Sequence, residues 1–349
     1  MKIKLKNKKI IICNLLVLLI VFIVFITFNK ENKDAIVFKN ENDTLKYVLL
    51  NGIYNEKYQN EYQDIIFKDQ KNFGEVLTTF LPKGYSGKEI NYLLSLSENN
   101  INILKRKTYV NLQNIYNYKN FSANNIERYN KYKNKTNYSY EKVITYVNNN
   151  VDYDYYENSS LIIDTENNLI LVNKYNYLPN GYTPKDLDYV DGAYANKVPM
   201  KKVVKENFLL LQKYLKEKYN LKLLPTTAYR NENFQTTLYN SYVSKYGKEN
   251  ADKFSARPGY SEHQTALAID LKNIAIKSDT RLNENDFNIL NDNAYKYGFI
   301  IRYPKGKEEI TGYDFENWHI RYVGKDNAKI IHDNSLTLEE YIDLYIKNY

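Results

Sequence analysis

The sequence predicts an α+β fold in which a small antiparallel sheet carries flanking helices. In the second half of the chain, apolar residues at helical spacing are followed by short apolar runs typical of strands, and the later runs lie close enough for hairpins. The 349 residues, of which 43% are hydrophobic, suffice for a core and favour two domains behind an N-terminal segment. We predict three segments, 1–29, 30–155 and 156–349, with the sheet in the last.

The first segment is predicted to be a signal anchor. A lysine-rich start precedes an apolar run over residues 10–28 that only Asn14 and Thr27 interrupt. Such a run spans a bilayer core of about 30 Å at about 1.5 Å per residue, and the lysines keep its start in the cytoplasm. No cleavage site of small residues follows Phe28, so we expect an uncleaved, single-pass anchor with the rest of the chain outside. The single cysteine, Cys13, lies within the run, which excludes a disulfide in the rest.

The second segment, 30–155, is expected to be mostly helical and to lie close to the membrane. Its early apolar patches, 47–50 and 65–67, are compatible with small strands or a partly ordered stalk. Ser86 and Glu89 form the pattern of a capping box. Helical spacing continues from there through Leu104, and further helices are predicted over 123–132 and from Ser139. Without a catalytic signature, the segment is interpreted as a spacer and docking surface, with a wall-binding module as the alternative.

The third segment alternates helices with strands. One helix has apolar residues at i, i+4, i+7 and i+11, a single buried face. The expected elements, in order, are an apolar run from Leu169 to a turn at Pro179–Gly181, a helix through Val204, Phe208, Leu211 and Leu215, a strand over Leu221–Leu224, a helix over 233–246, a helix that ends at Gly298, strands Phe299–Tyr303 and Trp318–Val323 joined by a turn around Gly306, and a closing helix over Leu338–Ile346.

The overall charge does not indicate a nucleic-acid partner. The net charge is +8 and the isoelectric point is near 9.0, but part of the positive excess lies in the first nine residues. The 37 tyrosines, against one tryptophan, indicate compositional bias and do not predict a stacking surface. We therefore expect no nucleic acid as a partner, and the sequence leaves the oligomeric state open.

Two short stretches carry the chemistry. The first, R-P-G-Y-S-E-H-Q-T-A-L-A-I-D over 257–270, contains His263 and Asp270, and the second, F-E-N-W-H over 315–319, contains Glu316 and His319. Imidazole and carboxylate groups are natural zinc ligands, and three protein ligands with one open position are typical of a catalytic zinc. Glu316 adds a carboxylate that can move a proton.

These stretches resemble a known family. The pattern S-x-H-x-x-x-x-A-x-D followed by E-N-W-H, together with A-Y-R-N-E-N-F-Q over 228–235 and G-F-I-I-R-Y-P-K-G-K-E-E-I-T-G-Y over 298–313, resembles the zinc D-alanyl-D-alanine carboxypeptidases. These are the VanY-like and LD-carboxypeptidase-like peptidases of bacterial cell walls. The family usually has glycine where this chain has Ala266. A methyl group there either crowds the backbone near the metal or is absorbed if φ is negative.

The resemblance implies roles for individual residues. It makes His263, Asp270 and His319 ligands of Zn²⁺, Glu316 the general base and then acid for a water that the metal activates, Arg230 the donor to the developing oxyanion, and Gln235, Ser261 and Arg257 candidate substrate-binding residues. Ser261 would donate to the terminal carboxylate, whereas Arg257 is equally compatible with a structural anchor. If His319 lies on a strand, Glu316 must lie at a bend or at the entrance of that strand. Trp318 is expected in the core, and His332 outside the site.

The implied function is removal of C-terminal D-alanine from peptidoglycan stem peptides by a membrane-anchored, extracytoplasmic zinc peptidase. The scissile bond, D-Ala-D-Ala or the L,D-bond of a tetrapeptide, stays open. An endopeptidase of the same fold is one alternative, and Ser261 in S-x-H favours the exopeptidase. A catalytically lapsed cell-wall-binding protein is the other, suggested only by Ala266.

Overall fold

The computed structural model describes residues 42–112, 114–115, 118–276 and 282–347. Its contacts divide the chain into two compact units, one up to Asn124 and one from Asn125 onward. Within these described ranges, every helix is too short or too polar to cross a bilayer. The predicted anchor over 10–28 lies outside the described residues. The predicted segment boundaries at 29 and 155 stay predictions.

The first unit consists of short helices around an apolar core. These are α1 (Asp43–Leu50), α2 (Gln59–Asp64), α3 (Phe73–Phe80), α4 (Gly87–Leu93) and α5 (Glu98–Lys105), with 3₁₀ turns at Glu56–Tyr58 and Leu81–Lys83. The described part of this unit contains no strand, so the prediction of small strands is wrong. Residues 47–50 continue α1 because Asn42 caps the helix and Leu45, Val48 and Leu49 fall on one buried face.

The predicted capping box is confirmed, but the helix that it starts is shorter than expected. Ser86 accepts a hydrogen bond from the backbone of Glu89, and the Glu89 carboxylate accepts one from the backbone of Ser86 at 2.9 Å. The helical spacing through Leu104 is divided between α4 and α5. The division arises at Ser97, whose side chain accepts from the backbone N–H of Asn100 and so starts a new helix.

The second unit is α+β. Its helices are α6 (Ile126–Lys135), α7 (Tyr140–Asn148), α8 (Lys202–Tyr219), α9 (Glu232–Tyr246), α10 (Lys248–Phe254), α11 (Glu284–Ala294), α12 (Glu308–Thr311), α13 (Lys325–Asp333) and α14 (Leu338–Tyr341), the last continued by a π-helical turn over Ile342–Ile346. Its strands are β1 (Ser160–Leu161), β2 (Asn176–Tyr177), β3 (Leu187–Asp191), β4 (Lys197–Lys201), β5 (Leu223–Thr227), β6 (Ala268–Asn273), β7 (Phe299–Ile301) and β8 (His319–Tyr322).

The main sheet has four strands in the order β5-β6-β8-β7, and it confirms the predicted antiparallel sheet and the predicted pairing of β7 with β8. Strand β6 and the order of the strands were not predicted. One face is apolar and packs under α8 and α11. Ile269, Leu271 and Ile320 contribute to that core. Because side chains alternate along a strand, the residues between them, Asp270 on β6 and His319 on β8, lie on the opposite face.

Two connections differ from the predicted ones. The hairpin of β3 and β4 was not predicted, because β3 has a single buried side chain, Val190, among charged and exposed neighbours. The link between β7 and β8 contains α12 in addition to the predicted turn. The predicted helix end at Gly298 is confirmed with φ of 87°. A Cβ at Gly298 would lie 2.7 Å from the Tyr322 ring, so only glycine fits there.

Ala266 has φ of 57°, in the left-handed region. The alternative that a negative φ accommodates its methyl group is therefore wrong. It ends the 3₁₀ turn Glu262–Thr265 and is fully buried. A Cβ in this conformation costs roughly 1–2 kcal/mol.

We expect Ala266→Gly to raise the free energy of unfolding by about 1 kcal/mol, measured by urea denaturation. Ala268→Gly on β6 is the matched control and should lower it by about 0.5–1 kcal/mol. A lower free energy of unfolding in both variants would show that the turn at Ala266 is unstrained.

Candidate active site

His263 is delivered by the 3₁₀ turn before β6. Its Nδ1 lies 2.7 Å from the carbonyl oxygen of Ala228. Because a carbonyl only accepts, Nδ1 carries the proton and Nε2 presents a lone pair. Nε2 lies 3.3 Å from Oδ2 of Asp270. His263 is thus held in one tautomer with its free nitrogen directed at the carboxylate.

Asp270 and His319 are direct partners across β6 and β8. Opposite residues of an antiparallel pair have their Cβ atoms about 5 Å apart, which brings the two side chains together. Nδ1 of His319 lies 3.1 Å from Oδ1 of Asp270. The contact does not meet hydrogen-bond geometry, and this buried oxygen has no hydrogen-bond partner among the described residues.

The other ring nitrogen of His319 is fixed by Glu262. Nε2 lies 2.8 Å from Oε1 of this glutamate, whose side chain is 1% exposed. The carboxylate accepts the proton of Nε2, so Nδ1 is left with its lone pair toward Asp270. A carboxylate behind a histidine is the usual way to orient a metal ligand.

The three predicted ligands fit a metal ion. One nitrogen of His263, one of His319 and one oxygen of Asp270 lie within 4.8 Å of one another. Two imidazole nitrogens with lone pairs thus lie close to a carboxylate of which one oxygen, Oδ1, has no hydrogen-bond partner among the described residues. This donor set suits a divalent transition-metal ion such as zinc.

The electrostatics of the group also favour a cation. Burial alone would lower the pKa of His319, but its contacts with Asp270, Glu262 and Glu316 outweigh burial and raise that pKa well above its usual value. Burial, with the charge of Arg230, lowers the pKa of His263. The carboxylates thus supply an excess of negative charge that a proton or a metal ion on His319 would offset.

Glu316 lies in the irregular segment before β8, which confirms the prediction that it stands at the strand entrance. Its backbone N–H donates to the carbonyl of Tyr303 at 3.1 Å. Oε2 lies 3.2 Å from Nδ1 of His319. Burial raises the pKa of Glu316, while its contact with His319 opposes this. A carboxyl group with a raised pKa beside the ligand group is suited to exchange a proton near neutral pH.

Arg230 contacts Oδ2 of Asp270, whereas His319 contacts Oδ1. Its Nη1 donates to Oδ2 of Asp270 at 3.3 Å, and its Nε donates to Oε1 of Gln235 at 3.2 Å. The amide nitrogen of Gln235 donates to the carbonyl of Ala256 at 2.7 Å. The amide group of Gln235 is therefore used within the protein, where it orients Arg230. A direct substrate contact by Gln235 stays a prediction.

Ser261 and Arg257 differ in position. Ser261 lines the cavity beside the ligand group, as a carboxylate donor would. Arg257 makes two hydrogen bonds to Asp252, at 3.1 and 2.7 Å, and its guanidinium lies 3.8 Å from the centre of the Tyr156 ring. These contacts favour the structural anchor for Arg257, and its role in substrate binding stays a prediction.

A cavity of about 470 Å³ opens onto the ligand group. One wall is apolar and comes from α9 and α10, lined by Phe234, Leu238, Tyr242 and Phe254. Trp318 is half-buried and lines the same cavity, so the prediction that it is a core residue is wrong. The turn before β8 directs the ring outward. As predicted, His332 lies elsewhere, stacked on Tyr295 at 3.9 Å.

Sequence reasoning missed Glu262 and the carbonyl of Ala228. Glu262 directly precedes His263, and a glutamate in a polar stretch is ordinarily taken to face solvent. The sequence feature that could have indicated Glu262 is the presence of Arg302 and Arg321 within strand-like apolar runs. Arginines buried in such runs need a buried anion as partner. The carbonyl of Ala228 has no signal in the sequence, because its role depends only on backbone geometry.

Comparison with known proteins gives consistent matches. Residues 197–325 match the family described as VanY, D-alanyl-D-alanine carboxypeptidase. The chain is 42% identical over 191 residues to the putative carboxypeptidase YodJ of Bacillus subtilis (strain 168), covering 52% of this chain and 69% of that protein. It resembles the solved structure of the LdcB LD-carboxypeptidase at 40% identity and a TM-score of 0.50, covering 54% of this chain and 91% of that one. It also resembles a vancomycin-resistance D,D-pentapeptidase VanY, solved in complex with Zn(II), at 32% identity and a TM-score of 0.45, over 50% of this chain and 98% of that one.

Proposed function

The chain belongs to the VanY family of D-alanyl-D-alanine carboxypeptidases, peptide hydrolases that act on D-Ala-D-Ala or peptidoglycan peptides, and from that premise we propose that it removes C-terminal D-alanine from peptidoglycan stem peptides with a zinc ion held by His263, Asp270 and His319. The observation that carries the proposal is the convergence of these three ligand atoms within 4.8 Å at the floor of the cavity, with Glu316 in contact with the group.

Zinc is the metal that fits the donor set best. Two neutral imidazoles and one carboxylate, with a fourth position open, are typical of catalytic zinc. Both histidines have their other nitrogen fixed, one by a carbonyl and one by a carboxylate. When bound, the ion supplies a Lewis acid that lowers the pKa of water and polarises a carbonyl.

Glu316 and Arg230 supply the remaining chemistry. Glu316 takes the proton of the attacking water and returns it to the leaving nitrogen. The leaving group therefore departs as a neutral amine and not as a strongly basic anion. Arg230, which lines the cavity beside Asp270, donates to the oxygen that becomes negative in the tetrahedral intermediate. Gln235 holds the guanidinium in position.

Ser261 supports a carboxypeptidase over an endopeptidase. An exopeptidase needs a donor for the terminal carboxylate, and Ser261, two residues before His263, lines the cavity and carries a hydroxyl group that could donate. The apolar wall of α9 and α10 would contact the peptide upstream of the scissile bond. The choice between D-Ala-D-Ala and L,D-bonds depends on that wall.

The test follows D-alanine released by the full-length chain from a pentapeptide and from a tetrapeptide stem, with and without a chelator. Release from the pentapeptide that the chelator abolishes indicates a DD-carboxypeptidase. Release from the tetrapeptide alone indicates an LD-carboxypeptidase. If zinc is bound but neither peptide releases D-alanine, the exopeptidase proposal fails, and cross-linked peptidoglycan then separates an endopeptidase from a lapsed wall-binding protein.

We also propose that the enzyme acts outside the cytoplasm, tethered by the apolar run over 10–28. Support comes from the lysines before this run and from the cell-wall substrate. Protease added to intact protoplasts should digest the chain beyond residue 30 and spare a cytoplasmic marker. Protection of both would overturn the orientation.

Arg230→Met is expected to lower kcat by about 10²–10³-fold, because the site loses its donor to the oxyanion. Zinc content, measured by mass spectrometry of the purified protein, should be unchanged. Arg257→Met provides the contrast, since Arg257 pairs with Asp252. We expect it to lower the melting temperature and leave kcat within about twofold of wild type. A large loss of kcat from Arg257→Met with normal stability would restore Arg257 to the substrate-binding site.

A further inference from the structure

We propose that a buried ion network formed by Glu262, Arg302, Arg321 and Glu339 positions His319 for the metal, so that Glu339 on the closing helix α14 is a positioning residue of the active site. The inference rests on the proposed zinc site. It extends that site to a residue that does not line the cavity, in a helix whose sequence shows no catalytic motif.

The first link is the carboxylate of Glu262, whose two oxygens contact different groups. Oε1 accepts from Nε2 of His319 at 2.8 Å. Oε2 accepts from Nε of Arg302 at 2.8 Å and from Nη1 of Arg321 at 2.9 Å. The two arginines hold one oxygen, so the carboxylate cannot rotate, and the other oxygen stays directed at the histidine.

The second link joins Arg302 to α14. The guanidinium makes a bidentate contact with Glu339, with Nη1 at 3.0 Å from Oε2 and Nη2 at 2.7 Å from Oε1. A bidentate arginine–carboxylate pair fixes the plane of the guanidinium and not merely its charge. The amide of Asn173 donates to Oε1 of Glu339 at 3.2 Å. Glu339 therefore sets the orientation of Arg302, and Arg302 helps to set that of Glu262.

The network is electrically balanced and dry. The side chains of Arg302, Arg321 and Glu339 are 0% exposed, and that of Glu262 is 1% exposed. Two carboxylates offset two guanidiniums. Replacing such groups by apolar ones is often neutral or stabilising, so stability alone does not account for four buried charges. Their chain of contacts ends at a metal ligand, which indicates a positioning role.

A neighbouring ion pair provides an internal control. Lys307 pairs with Glu340 at 2.8 Å, so it joins the same two segments as Arg302 and Glu339. This pair is partly exposed, and the contacts of its side chains among the described residues are with each other and with the backbone N–H of Thr337. Glu339→Gln and Glu340→Gln are therefore the same chemical change at adjacent positions of one helix, and only the first touches the network.

The experiment measures Zn²⁺ affinity of the full-length apoprotein by competition with a chromophoric chelator. We expect Glu339→Gln to weaken zinc binding about tenfold, within the range seen for residues behind metal ligands, and Glu340→Gln to change it by less than about twofold. The visible absorption of the Co²⁺-substituted protein should shift only in Glu339→Gln, because the geometry of His319 changes.

A double variant, Arg302→Met with Glu339→Leu, keeps the proposal testable if the single variant fails to fold. It removes both charges, so we expect the melting temperature of the apoprotein to be near wild type while zinc affinity stays reduced. Wild-type zinc affinity in the folded double variant, or equal losses in Glu339→Gln and Glu340→Gln, would overturn the inference. Absence of zinc binding by the wild-type chain would instead overturn the proposed site itself.

Discussion

Glu316→Gln is expected to lower kcat for D-alanine release by about 10²–10⁴-fold while one zinc ion per chain stays bound. The amide is isosteric with the carboxylate, and Glu316 is not one of the three proposed ligands, so the ligand group keeps its shape. It cannot take a proton from water or return one to the leaving amine. Turnover is followed by D-alanine release, and metal content by mass spectrometry.

The matched control for this variant is Glu308→Gln, in the same connection between β7 and β8. Glu308 accepts from the backbone of Gly306 and lies outside the cavity lining. We expect its kcat within about twofold of wild type. If Glu316→Gln retained more than a tenth of wild-type kcat, another group would have to move the proton. Loss of zinc from Glu316→Gln would make Glu316 a ligand.

His263→Ala should weaken zinc binding by about a hundredfold, and turnover should fall with it when zinc is limiting. Zinc sites of four protein ligands are worth about 10–16 kcal/mol, so one ligand corresponds to about 3 kcal/mol, or about a hundredfold in Kd. His263 is the ligand to remove, because its Nδ1 contacts only a backbone carbonyl, and the Asp270 oxygen beside its Nε2 keeps the hydrogen bond from Arg230. Affinity is measured by chelator competition.

The chain supplies its own control in His332, the remaining histidine of the three. His332→Ala should leave zinc affinity and kcat unchanged, since this ring stacks on Tyr295 away from the cavity. Wild-type zinc affinity in His263→Ala would contradict the ligand assignment. A folded apoprotein in both variants, checked by circular dichroism, separates metal loss from unfolding.

Much of the fold was predictable where periodicity and caps agree. The face of Val204, Phe208 and Leu211 predicted α8, and Gly298 predicted the end of the helical region after α11. Strands β7 and β8 were expected because their apolar runs are short and close in sequence. Strand β3 was not, since its pairing with β4 depends on backbone hydrogen bonds and its side chains are mostly exposed.

The ligand residues were predictable, but their support was not. His263, Asp270 and His319 have side chains whose chemistry indicates a metal. Glu262 acts on His319 across 57 positions of sequence, and its buried state depends on two arginines, Arg302 directly after β7 and Arg321 on β8. Such long-range pairing leaves no local pattern. Trp318 was expected in the core for a different reason. Its large apolar ring is typical of core residues, but the turn before β8 places it at the cavity.

The order of the strands has a consequence for how the metal leaves. Asp270 and His319 are carried by β6 and β8, the two inner strands, while β5 and β7 form the edges. Edge strands and terminal helices open locally at low cost, whereas inner strands exchange their amide hydrogens only when the whole domain opens. We expect the amides of Ile269 and Ile320 to be among the slowest to exchange. Metal would then depart by ligand exchange through the cavity, at a rate that chelator access governs and that partial unfolding of the edges does not change.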